Sequence, residues 1–213
     1  MIEPLRRAFA AVALLVSLAL APAAAFAADP AAEATDAQAF IRTLADKALV
    51  LVNSQSIKDS ERAEGFHVLF VACFDIPDIG RFVLGRHWKN ATPEQQKDFL
   101  KSFEDYTVLT WSTRFKDYSG VRLEITGGAP ADEGYYLVDS SIVRSVGDPL
   151  AVSWRVHRVD GAWRITDILI ENVSMALTQR QDFAASIQSS GGQVASLLDT
   201  MHRKIEELRA SIK

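Results

Sequence analysis

The stretch from Phe74 to Tyr118 reads FDIPDIGRFVLGRHWKNATPEQQKDFLKSFEDYTVLTWSTRFKDY. It is rich in large aromatic rings, which are Phe74, Phe82, Trp88, Phe99, Phe103, Tyr106, Trp111, Phe115 and Tyr118. It contains no group of residues typical of a catalytic centre. Because aromatic side chains carry a large apolar area, the stretch favours a protein that encloses an apolar ligand. The alternative is that these rings form only an ordinary packed core.

The same stretch predicts two helices. Asp75 is a good N-cap, Pro77 fits a first helical turn, and Gly85 can end the short helix that follows them. Residues 92–95, TPEQ, give a second start signal, with a capping Thr and a Gln three residues later. Apolar residues at helical spacing predict that this second helix runs from Pro93 to about Lys116.

Helices and strands are predicted on both sides of this stretch. Helical periodicity gives two helices upstream, at about 36–52 and 59–73, and two near the C-terminus, at about 175–188 and 194–212. Between them, alternating apolar and polar residues predict four strands at about 121–125, 135–144, 150–157 and 163–172. We interpret Gly127-Gly128, Gly147-Asp148-Pro149, Asp160-Gly161 and Gly191-Gly192 as turns.

The apolar pattern of the fourth strand changes phase. Trp163 and Ile165 share one parity, whereas Ile168 and Ile170 have the other. This change predicts a β-bulge or bend near residues 166–167, and a bent sheet can wrap around a ligand. The order of elements predicts an α+β fold, with helices on one side of a four-stranded antiparallel meander.

The N-terminus resembles an export signal. Arg6 and Arg7 precede an apolar run at 8–21, and Ala25-Phe26-Ala27 follows as an A-x-A site. We therefore expect residues 1–27 to be a signal peptide and 28–213 to be one exported domain, with an uncleaved anchor helix as the alternative. No Cys lies near the cleavage site, so we expect no lipid anchor. The net charge of −4 argues against a nucleic-acid partner.

Few residues suggest catalysis. The four His, at 67, 87, 157 and 202, are dispersed and form no metal-binding motif, and no phosphate-binding or nucleophile motif occurs. We predict no metal and no catalytic residue. Tyr136 and Asp139, near the middle of a strand, keep open a small-pocket enzyme.

Several isolated residues have a plain interpretation. Asp75 and Asp78 are interpreted as helix-capping groups rather than as an acid/base pair. Cys73 is interpreted as a small buried apolar residue. His157 falls on the polar face of its strand, so we expect it to be solvated. Arg180 could hold an anion, although a surface ion pair is favoured.

Several stretches together resemble the MlaC family, the toluene-tolerance or phospholipid-binding auxiliary proteins of an ABC transporter. They are residues 74–115, the segment WRITDILIENVSMALTQRQDF at 163–183, and the tail SSGGQVASLLDTMHRKI at 189–205. Residues 172–175 together with 178–180 are the part of the sequence most specific to this family. A Gly is common in the family at the position of Asn172. The similarity extends from about Phe40 to Lys204.

This resemblance implies an NTF2-like curved four-stranded sheet with helices packed over it and an apolar pocket between. It implies a monomeric periplasmic carrier without a cofactor, whose cargo is phospholipid. The partners that it implies are an outer-membrane lipoprotein/porin complex and an inner-membrane ABC transporter complex, in a system that maintains outer-membrane lipid asymmetry. A related branch is associated with hopanoid lipids, and that alternative stays open.

We predict the pocket wall from apolar residues on the helices and strands of this fold. The predicted lipid-binding residues are Ile79, Phe82, Val83, Phe103, Tyr106, Val152, Trp154 and Ile165. A long acyl chain costs about 0.8 kcal/mol per CH₂ in water, so a carrier must enclose it in such a wall. A structural interaction module is the remaining alternative, and it would have a fully packed interior.

Overall fold

A computed structural model describes residues 30–54, 56–114, 120–144 and 147–212. The predicted signal peptide, together with Phe115, Lys116 and Tyr118 from the aromatic stretch, lies outside the described residues. Within these ranges no helix has the length and apolar character that a membrane span requires.

The predicted helices are present. Their bounds are α1 (Pro30–Asn53), α2 (Asp59–Cys73), α3 (Ile76–Leu84), α4 (Pro93–Arg114), α5 (Met175–Ser189) and α6 (Val194–Ser211), with short 3₁₀ turns at Gly85–Asn90 and Asp132–Gly134. The first helix begins six residues earlier than predicted.

The helix-start signals act as predicted. The carboxylate of Asp75 accepts a hydrogen bond from the backbone N–H of Asp78 at 3.1 Å. At the start of α4, the backbone N–H of Gln95 donates to the hydroxyl of Thr92 at 3.2 Å, and the Gln95 side chain accepts from the N–H of Thr92 at 3.0 Å. This reciprocal capping box satisfies two N–H groups that a helix end otherwise leaves unpaired.

The α+β prediction is confirmed, but the sheet formed by the described residues has five strands rather than four. They are β1 (Arg122–Pro130), β2 (Tyr136–Val143), β3 (Leu150–Val159), β4 (Ala162–Ile170) and β5 (Val173–Ser174), paired antiparallel in the order β1-β2-β3-β4-β5. The fifth strand was missed because its two residues are too short to show an alternating pattern.

The interpretation of Gly127 and Gly128 as turn residues was wrong. Both lie inside β1, where Gly127 pairs with Asp139 and Gly128 with Val138. The register shifts between Ile125 and Gly127, so β1 contains a bulge where the sequence suggested a turn. Glycine inside a strand often marks such a bulge.

The predicted bulge in β4 is present. Arg155 pairs with Asp167 and Val156 pairs with Ile165, so Thr166 is the extra residue. One extra residue reverses the alternation, which brings the apolar residues before and after the bulge to the same face of the sheet. The phase change in the sequence therefore keeps Trp163, Ile165, Ile168 and Ile170 on the inner face.

In the part of the chain that the structure describes, buried residues form two clusters. One joins the helices α2 to α6 and includes Phe99, Phe103 and Phe183. The other joins α1 to the sheet and includes Ile41 and Val156. The ring of Phe74 packs against both clusters, so it lies where the helical layer meets the sheet.

Candidate functional site

A cavity of about 490 Å³ lies between the helices and the inner face of the sheet. Its volume falls within the range of about 300–1,000 Å³ that small-molecule sites occupy. Most of the side chains that line it are apolar. This arrangement argues against the fully packed interior that a structural interaction module would have.

The strands build one wall of the cavity. Val152 pairs with Ile170, and Trp154 pairs with Ile168, so these four side chains form two neighbouring rows. The buried hydroxyl of Ser140 donates to the backbone carbonyl of Val152 and accepts from the indole N–H of Trp154, both at 2.9 Å. Because the indole N–H is thus satisfied, Trp154 presents its carbon surface to the cavity.

Five helices build the opposite walls. The lining side chains are Leu44, Ala45, Ala48, Leu49 and Val52 of α1; Phe66, Leu69 and Phe70 of α2; Ile79 and Val83 of α3; Phe103, Tyr106, Thr107, Thr110 and Trp111 of α4; and Met175, Ala176, Thr178, Gln179 and Asp182 of α5. Every one of these helices therefore has one face on the cavity.

Six of the eight predicted pocket residues line the cavity: Ile79, Val83, Phe103, Tyr106, Val152 and Trp154. Phe82 and Ile165 do not. Whether the six contact a ligand stays a prediction, because the structure shows the wall and not its occupant.

Phe82 and Ile165 lie outside the lining for different reasons. Each residue of a helix is rotated by about 100° around the helix axis from the one before it. Phe82 is two positions from both Gly80 and Leu84, so it lies on the side of α3 opposite to these buried residues. It is 42% exposed, and the Arg180 guanidinium carbon lies 5.0 Å from the centre of its ring. Ile165 is fully buried in the core between α1 and the sheet, before the β4 bulge.

The contribution of α1 and α2 was not predicted. The spacing of Leu44, Ala48 and Val52 is helical, so the sequence contains the signal for an apolar face. Periodicity does not say whether such a face meets a neighbour or an empty space.

A polar joint sits at the edge of the cavity where β4 leads into α5. The Asp167 carboxylate accepts from the N–H groups of Ile168 at 2.8 Å and Ala176 at 2.9 Å, and from the hydroxyl of Ser174 at 2.5 Å. Ser174 in turn caps α5 by accepting from the N–H of Leu177 at 2.9 Å. The first turn of α5 is thereby fixed beside the cavity, and Asp167 is engaged in capping.

The residues that kept open a small-pocket enzyme do not meet. Tyr136 is buried in the core between α1 and the sheet, whereas Asp139 accepts a 2.6 Å hydrogen bond from Ser153. Three positions separate them in one strand, so they point to opposite faces of the sheet. Neither lines the cavity.

The histidines and the cysteine are engaged separately. His157 is not solvated as expected: its Nε2 lies 2.9 Å from the Asp75 carboxylate. His67 pairs with Glu104, and His202 with Asp98. Among the described residues, no three His, Cys, Asp or Glu cluster closely enough to hold a metal ion. Burial raises the pKa of the Cys73 thiol, which disfavours the nucleophilic thiolate.

A family model described as "MlaC protein" matches residues 42–203. The chain belongs to the MlaC family. This match includes every described residue that lines the cavity, although it covers only the second half of α1. The resemblance inferred from the sequence is therefore confirmed.

Two relatives support this assignment. The Toluene tolerance protein ttg2D of Pseudomonas putida is 20% identical over 115 residues, which are 54% of this MlaC-family chain and 53% of that protein. The chain thus spans about half the length of the curated relative it matches. The solved structure of a phospholipid-binding protein from Ralstonia solanacearum, in complex with a phospholipid, matches with a TM-score of 0.70. It is 24% identical, and the match covers 81% of this chain and 98% of that one.

Proposed function

We propose that this MlaC-family protein is a non-enzymatic periplasmic carrier that holds phospholipid acyl chains in the cavity. The observation that carries the proposal is the apolar cavity enclosed by five helices and the inner face of the sheet. At about 0.8 kcal/mol per buried CH₂, enclosing even part of one acyl chain offsets the cost that keeps lipid out of water.

The comparisons support the same cargo. The Ralstonia solanacearum protein with the similar fold binds phospholipid, and the family is the one that the sequence resembles. Within this function the carrier moves lipid between an outer-membrane complex and an inner-membrane ABC transporter complex, which maintains the asymmetry of the outer membrane. Release of the lipid requires a partner that binds the lipid-free carrier more tightly than the lipid-loaded carrier. Without such a partner, nothing lowers the affinity of the carrier for its lipid.

The polar groups of the cavity support a carrier rather than an enzyme. Asp167 is occupied by capping α5, and the other charged lining residues, Arg122 and Asp182, are exposed. Among the described lining residues these three are the only charged groups, and none is the buried, unengaged acid or base that proton-transfer catalysis would use.

Lipid extraction tests the proposal. The purified protein is extracted with organic solvent, and lipids are identified by mass spectrometry and quantified by phosphorus assay. We expect phospholipid in a fixed ratio to protein. Absence of phospholipid at any useful ratio would overturn the proposal, and hopanoid as the main extracted lipid would replace it with the hopanoid-carrier alternative.

A further inference from the structure

The outer sides of α3 and α5 form one exposed surface, which we call the α3–α5 face and define by Arg81, Phe82, Leu177 and Arg180. Phe82 is 42% exposed and Leu177 is 47% exposed. Leu177 lies one helical turn before Arg180, and Arg180 contacts Phe82, so the apolar and cationic side chains are interleaved. Arg81 is exposed and Arg180 is half-buried. A patch that combines exposed apolar side chains with arginine is typical of interaction surfaces.

Arg180 is held in place without a carboxylate. Its guanidinium carbon lies 5.0 Å from the centre of the Phe82 ring. Gly85 permits this approach, because a Cβ there would lie 2.9 Å from Nε of Arg180. Arg81 is placed similarly, with its guanidinium carbon 5.7 Å from the centre of the Trp88 ring. Within the described ranges, the side chain of neither arginine forms an ion pair or a hydrogen bond.

Both arginines therefore keep donors available. A guanidinium on an aromatic ring uses its flat face, whereas its N–H donors lie in its plane. Those donors match a carboxylate in the bidentate geometry that Lys cannot supply. The local charge agrees: residues 76–90 carry Arg81, Arg86 and Lys89 against Asp78, a net of +2 in a chain of net −4.

We propose that the α3–α5 face is the docking site for a protein partner that presents carboxylates around an apolar patch. This proposal rests on the carrier function, which requires a partner that takes lipid from the cavity. The carboxylates of the partner bind the in-plane N–H donors of Arg81 and Arg180 while both guanidinium groups stay on their rings.

A partner bound to this face contacts the two helices whose other sides line the cavity. Ile79 and Val83 on α3, and Met175 and Ala176 on α5, line the cavity from the other side of the same two helices. The partner therefore sits directly outside one wall of the cavity.

Charge and geometry favour a protein over a bilayer as the occupant. Recognition of anionic lipid surfaces uses clusters of about 4–8 Lys and Arg, which is more than the two arginines of this face. The Arg180 guanidinium covers one face of the Phe82 ring, so the ring is less free to insert among lipids. Guanidinium groups held at fixed positions suit a partner whose carboxylates are also fixed.

Site-specific cross-linking tests the proposal. Leu177 is replaced by the photoreactive residue p-benzoyl-phenylalanine in the full chain, which is illuminated in the cells that make it. The same replacement at Val50, 69% exposed on α1, is the control. We expect one protein adduct at Leu177 and none at Val50, with Asp or Glu in the cross-linked partner segment. The double variant Arg81→Glu and Arg180→Glu should lower the yield of the Leu177 adduct about tenfold or more. Replacing the partner's carboxylate residues by Lys in the presence of this double variant should restore that yield.

Three outcomes would overturn the docking site: no adduct specific to Leu177, a yield unaffected by charge reversal, or a lipid adduct in place of a protein. Circular dichroism checks that the variants fold, and the milder Arg81→Gln with Arg180→Gln replaces the reversed pair if they do not. Lipid extraction from the same variants separates the two proposals. Normal phospholipid content without docking overturns this inference alone, whereas absence of phospholipid from the unaltered protein overturns the carrier function.

Discussion

The carboxylate of Asp75 and the imidazole of His157 join α3 to the sheet. Nε2 of His157 lies 2.9 Å from Oδ2 of Asp75, and the other oxygen, Oδ1, caps α3 by accepting from the N–H of Asp78. The side chain of His157 is 20% exposed and that of Asp75 is 15% exposed. One residue therefore fixes both the first turn of α3 and its position beside β3, and the inner face of α3 lines the cavity.

Asp75→Ala should lower the free energy of unfolding by about 1–2 kcal/mol, because it removes an N-cap and the partner of His157. Asp75→Asn should recover most of that loss, since Asn caps helices nearly as well as Asp. Urea unfolding followed by circular dichroism measures both. Asp199→Ala, at an exposed position on α6, is the control. Equal losses for the Ala and Asn variants would show that the negative charge matters rather than the cap.

The cap at Asp75 was predictable from sequence, and its contact with His157 was not. A cap depends on neighbours three residues away, so the order Asp75, Pro77, Gly85 is enough to predict it. The contact with His157 joins residues 82 positions apart. Strand alternation correctly placed His157 on the polar face, but it does not reveal that the chain beyond Cys73 reaches that face.

The cavity shows the same limit. The change of phase in β4 predicted the bulge at Thr166, because a bulge leaves its mark within one strand. The contribution of α1 to the cavity wall depends on how this helix packs over strands that are distant from it in the sequence. Phe82 was predicted to line the pocket because it is apolar and has apolar neighbours on its helix. It instead lies at the surface, where the Arg180 guanidinium packs on its ring.

Arg62 should contribute strongly to stability, because its buried guanidinium caps the carbonyl groups at the C-terminal end of α1. It donates to the carbonyls of Leu51 at 2.9 Å, Val52 at 3.2 Å and Ser54 at 3.1 Å. Arg62→Met leaves these helix-end carbonyls without the donor, and we expect a loss of about 2–3 kcal/mol in urea unfolding.

Arg62→Lys should recover only part of this loss, because one ammonium cannot span the carbonyls that the guanidinium fork reaches. Arg122→Met, which removes an exposed arginine, is the control and should change stability by less than about 0.5 kcal/mol. A loss no larger for Arg62→Met than for this control would contradict the role of Arg62.

Asp36 should make stability depend on pH in the acid range. Hydrogen bonds from Arg158, and then from Trp163 at 3.2 Å, lower the pKa of Asp36 below its ordinary value of 3.8. A pKa lowered by folding means that the ionised carboxylate stabilises the folded state above pH 3.8, and this stabilisation is lost as the pH falls through the folded value.

Because the Asp36 side chain is largely exposed, we expect an effect below about 1 kcal/mol. The measurement compares the urea midpoints of the unaltered protein and Asp36→Asn between about pH 5 and about pH 3. The difference between them should narrow as the pH falls. Asp46→Asn, at another exposed position of α1, should show no such narrowing, and a constant difference for Asp36→Asn would contradict the expectation.

Val83→Trp should reduce bound lipid while leaving the protein folded. Val83 is 1% exposed and lines the cavity from α3, so the larger ring enters space that the proposed ligand would occupy. The matched control is Val108→Trp, because Val108 is 5% exposed and belongs to the same buried cluster without lining the cavity.

Overpacking a filled core typically costs about 1–3 kcal/mol, so Val108→Trp should lose more stability than Val83→Trp, whose ring has a cavity to fill. Phospholipid per folded protein, measured by extraction and phosphorus assay, should fall for Val83→Trp and stay unchanged for Val108→Trp. Unchanged lipid in Val83→Trp, with the fold intact, would mean that the acyl chains occupy the part of the cavity away from α3. An equal fall in both variants would mean that lipid content follows the stability of the helical core rather than the volume of the cavity.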